Sequence, residues 1–142
     1  MIDLVAQLDN GNHSCVVANG TDVRCFDQRG VADLHQILSD EPNFLRNSKI
    51  ADKVVGKGAA AIMIRGGVAQ LYTHIISEGA LQLFDNTDVT VEYGLCVSHI
   101  INRNGSDWCP VEKLCRDIHN VDDIIPLIDK FLIEIKKPEF NL

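Results

Sequence analysis

Apolar residues along this chain recur with two different spacings, and the alternation between them sets out the elements. Residues 14–18 and 22–26 are short apolar, β-branched runs. The Asn19-Gly20 pair between them signals a hairpin, because both residues tolerate positive φ. Ahead of the hairpin, residues 1–12 read as a short mixed segment ending in the turn Asp9-Asn10-Gly11-Asn12. From Gly30 the spacing becomes helical: Val31, Leu34, Ile37 and Leu38 share a face, and Asp40-Glu41-Pro42 closes it. Residues 43–49 read as a connector carrying Arg46 and Lys49.

The centre of the pattern is residues 52–64. No charge occurs from Gly58 to Ile64, and the apolar positions surround a helical wheel, which is the signature of a buried helix. The spacing predicts an extended stretch over residues 50–55, a helix over about residues 54–65, and a left-handed stop at Gly66-Gly67. Residues 68–76 are a near-continuous apolar run, as in a strand covered on both faces. Ser77-Glu78 starts a short helix. Residues 89–93 and 95–101 read as two strands, or one strand bent at Gly94, and a polar loop follows over residues 102–107. Cys109-Pro110 opens the next helix, Pro being suited to the first helical position. In the last helix Ile124, Leu127, Ile128, Phe131, Leu132 and Ile135 share a face. Pro126 places its start near Asp122 or Asp123, and Lys136-Lys137-Pro138 marks its end. Strands alternating with helices after a hairpin give an α/β protein with a sheet of mixed direction.

Composition narrows the class. A chain of 142 residues, 46% hydrophobic and 23% charged, fits one globular domain over residues 1–142. A net charge of −7 argues against a nucleic-acid polymer as partner. No apolar run is long enough to span a bilayer, and Met1-Ile2-Asp3-Leu4 does not open a signal peptide, so a cytoplasmic protein is expected. The odd number of cysteines, five, favours reduced thiols.

Three segments in this order and spacing resemble a small family of uncharacterised prokaryotic proteins whose fold is similar to cytidine deaminase. They are Asp52-Lys53-Val54-Val55-Gly56-Lys57, the run from Val68 to Ile76-Ser77-Glu78, and Asn102-Arg103-Asn104-Gly105 with Cys109-Pro110-Val111-Glu112-Lys113-Leu114. The resemblance implies a three-layer α/β/α sandwich around the mixed sheet. Gly58 and Cys115 stand where the family pattern leads us to expect Ala and an aliphatic residue. Zinc deaminases place His-x-Glu or Cys-x-Glu at one helix start and Pro-Cys-x-x-Cys at another. Here no His or Cys is followed two places later by Glu, and no Cys-x-x-Cys occurs, so neither a metal site nor a cofactor is expected.

Candidate chemistry concentrates at the start of the central helix. Lys53, Gly56 and Lys57 read as a cradle for a small anionic, nucleotide-like ligand, because helix N-termini present free N–H groups and a favourable dipole. Gly56-Lys57 lacks the upstream glycine and following Ser or Thr of a Walker A loop. Asn102 and Arg103, in a loop after a strand, add hydrogen bonding and a bidentate cation. Cys109, as N-cap, sits where a dipole favours thiolate, with Glu112 placed to reach back in a capping box. Two function classes follow: a ligand-binding domain using Lys53, Gly56, Lys57, Asn102 and Arg103, or an enzyme with Cys109 as nucleophile or redox thiol and Lys57 or Asp52 moving protons. A structural or assembly role is the third. His74 and His99 read as core histidines, and His13, His35 and His119 as surface residues. Cys15, Cys25 and Cys96 read as small apolar fillers.

Overall fold

The computed structural model describes residues 1–28, 30–102 and 104–136. Helix α1 (Ile2–Asn10) precedes the hairpin β1 (Cys15–Asn19) and β2 (Asp22–Phe26). Helices α2 (Ala32–Asp40) and α3 (Pro42–Leu45) lead into β3 (Lys49–Val55), α4 (Lys57–Gly66) and β4 (Gln70–Ser77). Then come α5 (Glu78–Phe84), β5 (Thr90–Val97), α6 (Pro110–Leu114) and α7 (Val121–Lys136). The five-stranded sheet runs in the order β2-β1-β3-β4-β5. β1 is antiparallel to β2 and β3, whereas β3, β4 and β5 are parallel. The fold is mixed α/β.

Two corrections concern the first third of the chain. Residues 1–12 are not merely a turn-ended segment: Leu4 and Leu8, one turn apart, make α1 amphipathic enough to bury that pair against Val16 and Ala51. Pro42 does not simply close α2. It opens α3 at the first helical position, where its missing N–H costs nothing. The hairpin forms as read, but Asn19 ends β1 opposite Asp22, so the turn is Gly20-Thr21 and only Gly20 takes a positive φ, +59°. β5 is one continuous strand through Gly94. There a Cβ would come 2.9 Å from the His74 carbonyl oxygen, so glycine serves close strand approach. α7 begins at Val121, which leaves Pro126 inside the helix instead of in its first turn. Lys137 and Pro138 lie outside the described residues.

The main core lies between the sheet and α2, α4, α5, α6 and α7, and α4 is its axis. Gly58 through Met63 are all buried, as a charge-free wheel requires, and Lys57 at the head of the helix is buried with them. The helix stops at Gly67, left-handed at φ +79°, whose N–H bonds back to the Ile64 carbonyl. Gly58 has a packing reason: a Cβ there would sit 2.4 Å from Val111 Cγ1 on α6. Gly58→Ala gains helix propensity but overpacks that contact. We expect a net loss of about 1–2 kcal/mol of unfolding free energy by urea denaturation.

Candidate functional site

The N-terminus of α4 is occupied from within the protein. Glu112, in the first turn of α6, is buried and aims its carboxylate across to α4. The Lys57 N–H donates to Glu112 Oε1 at 2.9 Å, and the Ser77 hydroxyl donates to the same oxygen at 3.3 Å. Ile100 N–H donates to Oε2 at 2.8 Å. Gly56 allows the approach, since a Cβ there would lie 3.2–3.3 Å from the carboxylate atoms. The free amide and the glycine that read as a ligand cradle therefore serve an internal anion. The capping box does not form. Cys109 N–H already donates to the Ile100 carbonyl at 2.8 Å, so nothing draws Glu112 back onto its own helix.

Lys57 is buried, and its ammonium points away from any anion cradle. It donates to the carbonyl oxygens of Cys115 and Arg116, at 3.1 and 3.3 Å, just past the end of α6, and lies 3.1 Å from His119 Nδ1. It thus adds a donor to carbonyls of the turn that follows α6, where the Cys115 oxygen also accepts from Ile118 N–H at 3.1 Å. Burial lowers its pKa; the buried Glu112 and its other neighbours act in the opposite direction. Neither the ligand-binding nor the proton-moving role read for Lys57 fits this placement. His119 lies toward the surface as expected, yet its ring nitrogen reaches the Lys57 ammonium. Gly79 lets the lysine stem pass, since a Cβ there would lie 3.3 Å from Lys57 Cδ.

Beside Glu112 opens a cavity of about 340 Å³, large enough for a small molecule. It lies at the carboxyl end of β3. Cys15 of β1, Asp52 of β3, Val31 and Leu34 near the start of α2, and Ala59 of α4 form its inner wall, with Cys109 and Val111 opposite. Asp52 dominates its chemistry. Asp52 is only 8% exposed, and burial raises its pKa from 3.8 to about 7, despite the hydrogen bond it accepts from Val54 N–H at 3.3 Å. Cys15 is pushed well above an ordinary thiol, first by burial and then by the charge of Asp52. Asp33, also lining the cavity, is raised by burial. Asp27 and Lys53 lie at the rim, where Asp27 meets His13 at 2.6 Å and the Lys53 ammonium donates to Asn12 Oδ1 at 2.7 Å.

Of the residues singled out by sequence, Asp52, Lys53, Gly56 and Cys109 come together around this cavity, and Lys57 sits behind it. Asn102 closes its own loop, accepting from Ser106 N–H at 3.1 Å. Arg103 lies outside the described residues. Cys109 is half-buried at the head of α6, and its side chain makes no capping hydrogen bond. Glu112 and Cys15 are the members that sequence reading passes over. Glu112 carries a signal, an acid in the third helical position after Cys109, but the capping-box reading assigns it to the wrong helix. Cys15 carries none beyond its β-branched surroundings. His74 is held by Asp9 and Tyr72, and His99 stacks on Trp108 with ring centroids 4.0 Å apart. Among the described residues no helix is long and apolar enough to cross a membrane.

A family model described as "Domain of unknown function (DUF1893)", TM1506, matches residues 3–132. The crystal structure of a DUF1893 family protein, TM1506 from Thermotoga maritima, superposes with a TM-score of 0.84 over 92% of this chain and 88% of that one. At 21% identity that likeness establishes a common fold and nothing about chemistry. No curated protein matches the sequence.

Proposed function

The chain belongs to the DUF1893 family, and from its own geometry we propose that it binds a small neutral or cationic molecule bearing N–H groups in the cavity beside α4. The observation that carries this is the buried Asp52 carboxyl lining a pocket whose described ionisable walls are mostly acids: Asp27, Asp33, Asp52 and Glu112, with Lys53 at the rim. An anionic ligand, expected from the lysines, would meet these carboxylates, while Lys57 is engaged elsewhere. A carboxyl poised near neutrality offers an acceptor or a donor as the ligand requires, which suits an aminopyrimidine, an amidine or an amine. The juxtaposed starts of α4 and α6 at the carboxyl edge of the sheet are the part of the deaminase-like sandwich that this reading keeps.

The test is a melting-temperature series with named probes: cytidine, adenosine and benzamidine against cytidine monophosphate, adenosine monophosphate and benzoate. We expect upward shifts from members of the first group, none from the second, and loss of the shifts in Asp52→Ala. Stabilisation by the phosphorylated probes alone would refute the reading. A second reading rests on Cys109, a thiol that lines the same cavity as the Asp52 carboxyl. It predicts that Cys109 alkylates with iodoacetamide faster than exposed Cys25, and that Asp52→Asn slows that reaction selectively.

A further inference from the structure

The sheet has two edges, and they are protected differently. On the outer strand β2, Arg24 is tied to Glu41 at 2.8 Å and to Asp22 at 3.3 Å, and it lies over the Phe44 ring. Charge of this kind discourages another strand from pairing there. On the other edge, β5 is an eight-residue strand with no Lys, Arg or Pro. Among the described residues no strand pairs with its outer side. Tyr93 is 43% exposed and Leu95 57%. An edge this long, with one charge and neither a bulge nor a proline to guard it, is a template for strand addition.

The order of side chains in β5 selects its partner. Thr90-Val91-Glu92-Tyr93-Gly94-Leu95-Cys96-Val97 reads symmetrically about Gly94: apolar residues lie one and three places to either side. We propose that β5 pairs antiparallel with β5 of a second copy of this chain, about a two-fold axis at Gly94, giving a continuous ten-stranded sheet. In this register Tyr93 faces the partner's Leu95, and Val91 faces the partner's Val97. Cross-strand neighbours share a face, so both Tyr93–Leu95 pairs form one apolar cluster. Glu92, the one charged residue of the strand, faces the partner's Cys96. The two copies of Glu92 then stand four residues apart along the strands, about 13 Å, beyond the screening length of about 8 Å at physiological salt. An axis at Glu92 would instead set the two acids directly opposite and is disfavoured. The interface is isologous, as a two-fold dimer requires.

Sedimentation equilibrium of the full chain over a concentration series tests this. The expected result is a monomer–dimer equilibrium in which Leu95→Lys, and separately Tyr93→Glu, give monomers with the wild-type circular dichroism spectrum. Both side chains are exposed, so folding is retained. Glu92→Cys supplies a register check, because mild oxidation is expected to link the introduced thiol to the native Cys96 of the other copy and to leave Cys25 reduced. A wild-type monomer throughout the series, a dimer indifferent to both charge insertions, or a cross-link through another cysteine overturns the proposal. None of these results bears on the cavity.

Discussion

Glu112→Ala is expected to lower the unfolding free energy by about 3–5 kcal/mol, the range for removing one partner from a buried charged network. The carboxylate receives Lys57 N–H, Ile100 N–H and the Ser77 hydroxyl, and all of these residues are buried. Alanine strands the two backbone donors without water and removes a buried acid whose charge favours the Lys57 ammonium. Each orphaned donor costs about 1–3 kcal/mol on its own. Glu112→Gln separates these contributions. Its single carbonyl oxygen keeps one backbone donor and turns an NH2 group toward the other, so it is expected to fall between wild type and alanine. Urea denaturation with unchanged m-value measures both. A loss below about 1 kcal/mol for alanine would mean that the start of α4 draws on water and not on this side chain.

Asp52→Asn is expected to act in the opposite direction and to depend on pH. The folded pKa of about 7 lies above the unfolded value of 3.8, so between these values the folded protein holds a proton that the unfolded chain has released. Asp52 therefore removes stability as pH rises through this window, and the deficit is complete above about pH 7. The rise from 3.8 to about 7 corresponds to roughly 4 kcal/mol, an upper limit for what asparagine can restore at pH 8. Asparagine keeps an oxygen for Val54 N–H, which Asp52 accepts at 3.3 Å. The difference between variant and wild type should shrink toward pH 4, where both side chains are neutral in the folded state. Subtracting the two pH profiles removes the contribution of Asp33, which is shifted in the same direction. A difference that stays flat from pH 4 to pH 8 would show that the carboxyl is solvated.

The elements are legible where period and punctuation agree. Gly20 in the hairpin turn, the charge-free run from Gly58 to Ile64, Gly67, and the Ser77 cap, which accepts from Ala80 N–H at 3.1 Å, each carry a local physical cause that a sequence displays. α1 escapes the pattern because its fully buried stripe is Leu4 and Leu8, with Met1 and Val5 only partly covered, too narrow to stand out until β1 and β3 supply the other half. The site is legible as residues but not as directions. Lys57 and Glu112 are 55 positions apart, and each invites a local reading: a lysine serving a ligand, an acid capping its own helix. The fold exchanges these roles, so that the acid caps α4 and the lysine serves the end of α6. Nothing in the spacing reveals that Cys109 N–H is already taken, and that single bond decides where Glu112 turns. Asp52 stands out in the sequence for its place ahead of the glycines that open α4. Its raised pKa comes from burial, which only the folded sheet supplies, with Cys15 of β1 paired antiparallel beside it.

The cavity is either an acidic, proton-exchanging pocket or a cradle for anions. Following the side-chain carboxyl carbon of Asp52 by carbon-13 NMR across a pH titration decides it. A midpoint near 7 is the predicted result, with the resonance still protonated where ordinary aspartates have already ionised. A midpoint at or below 3.8 would place that carboxylate beside a cation or in open water and would contradict the account.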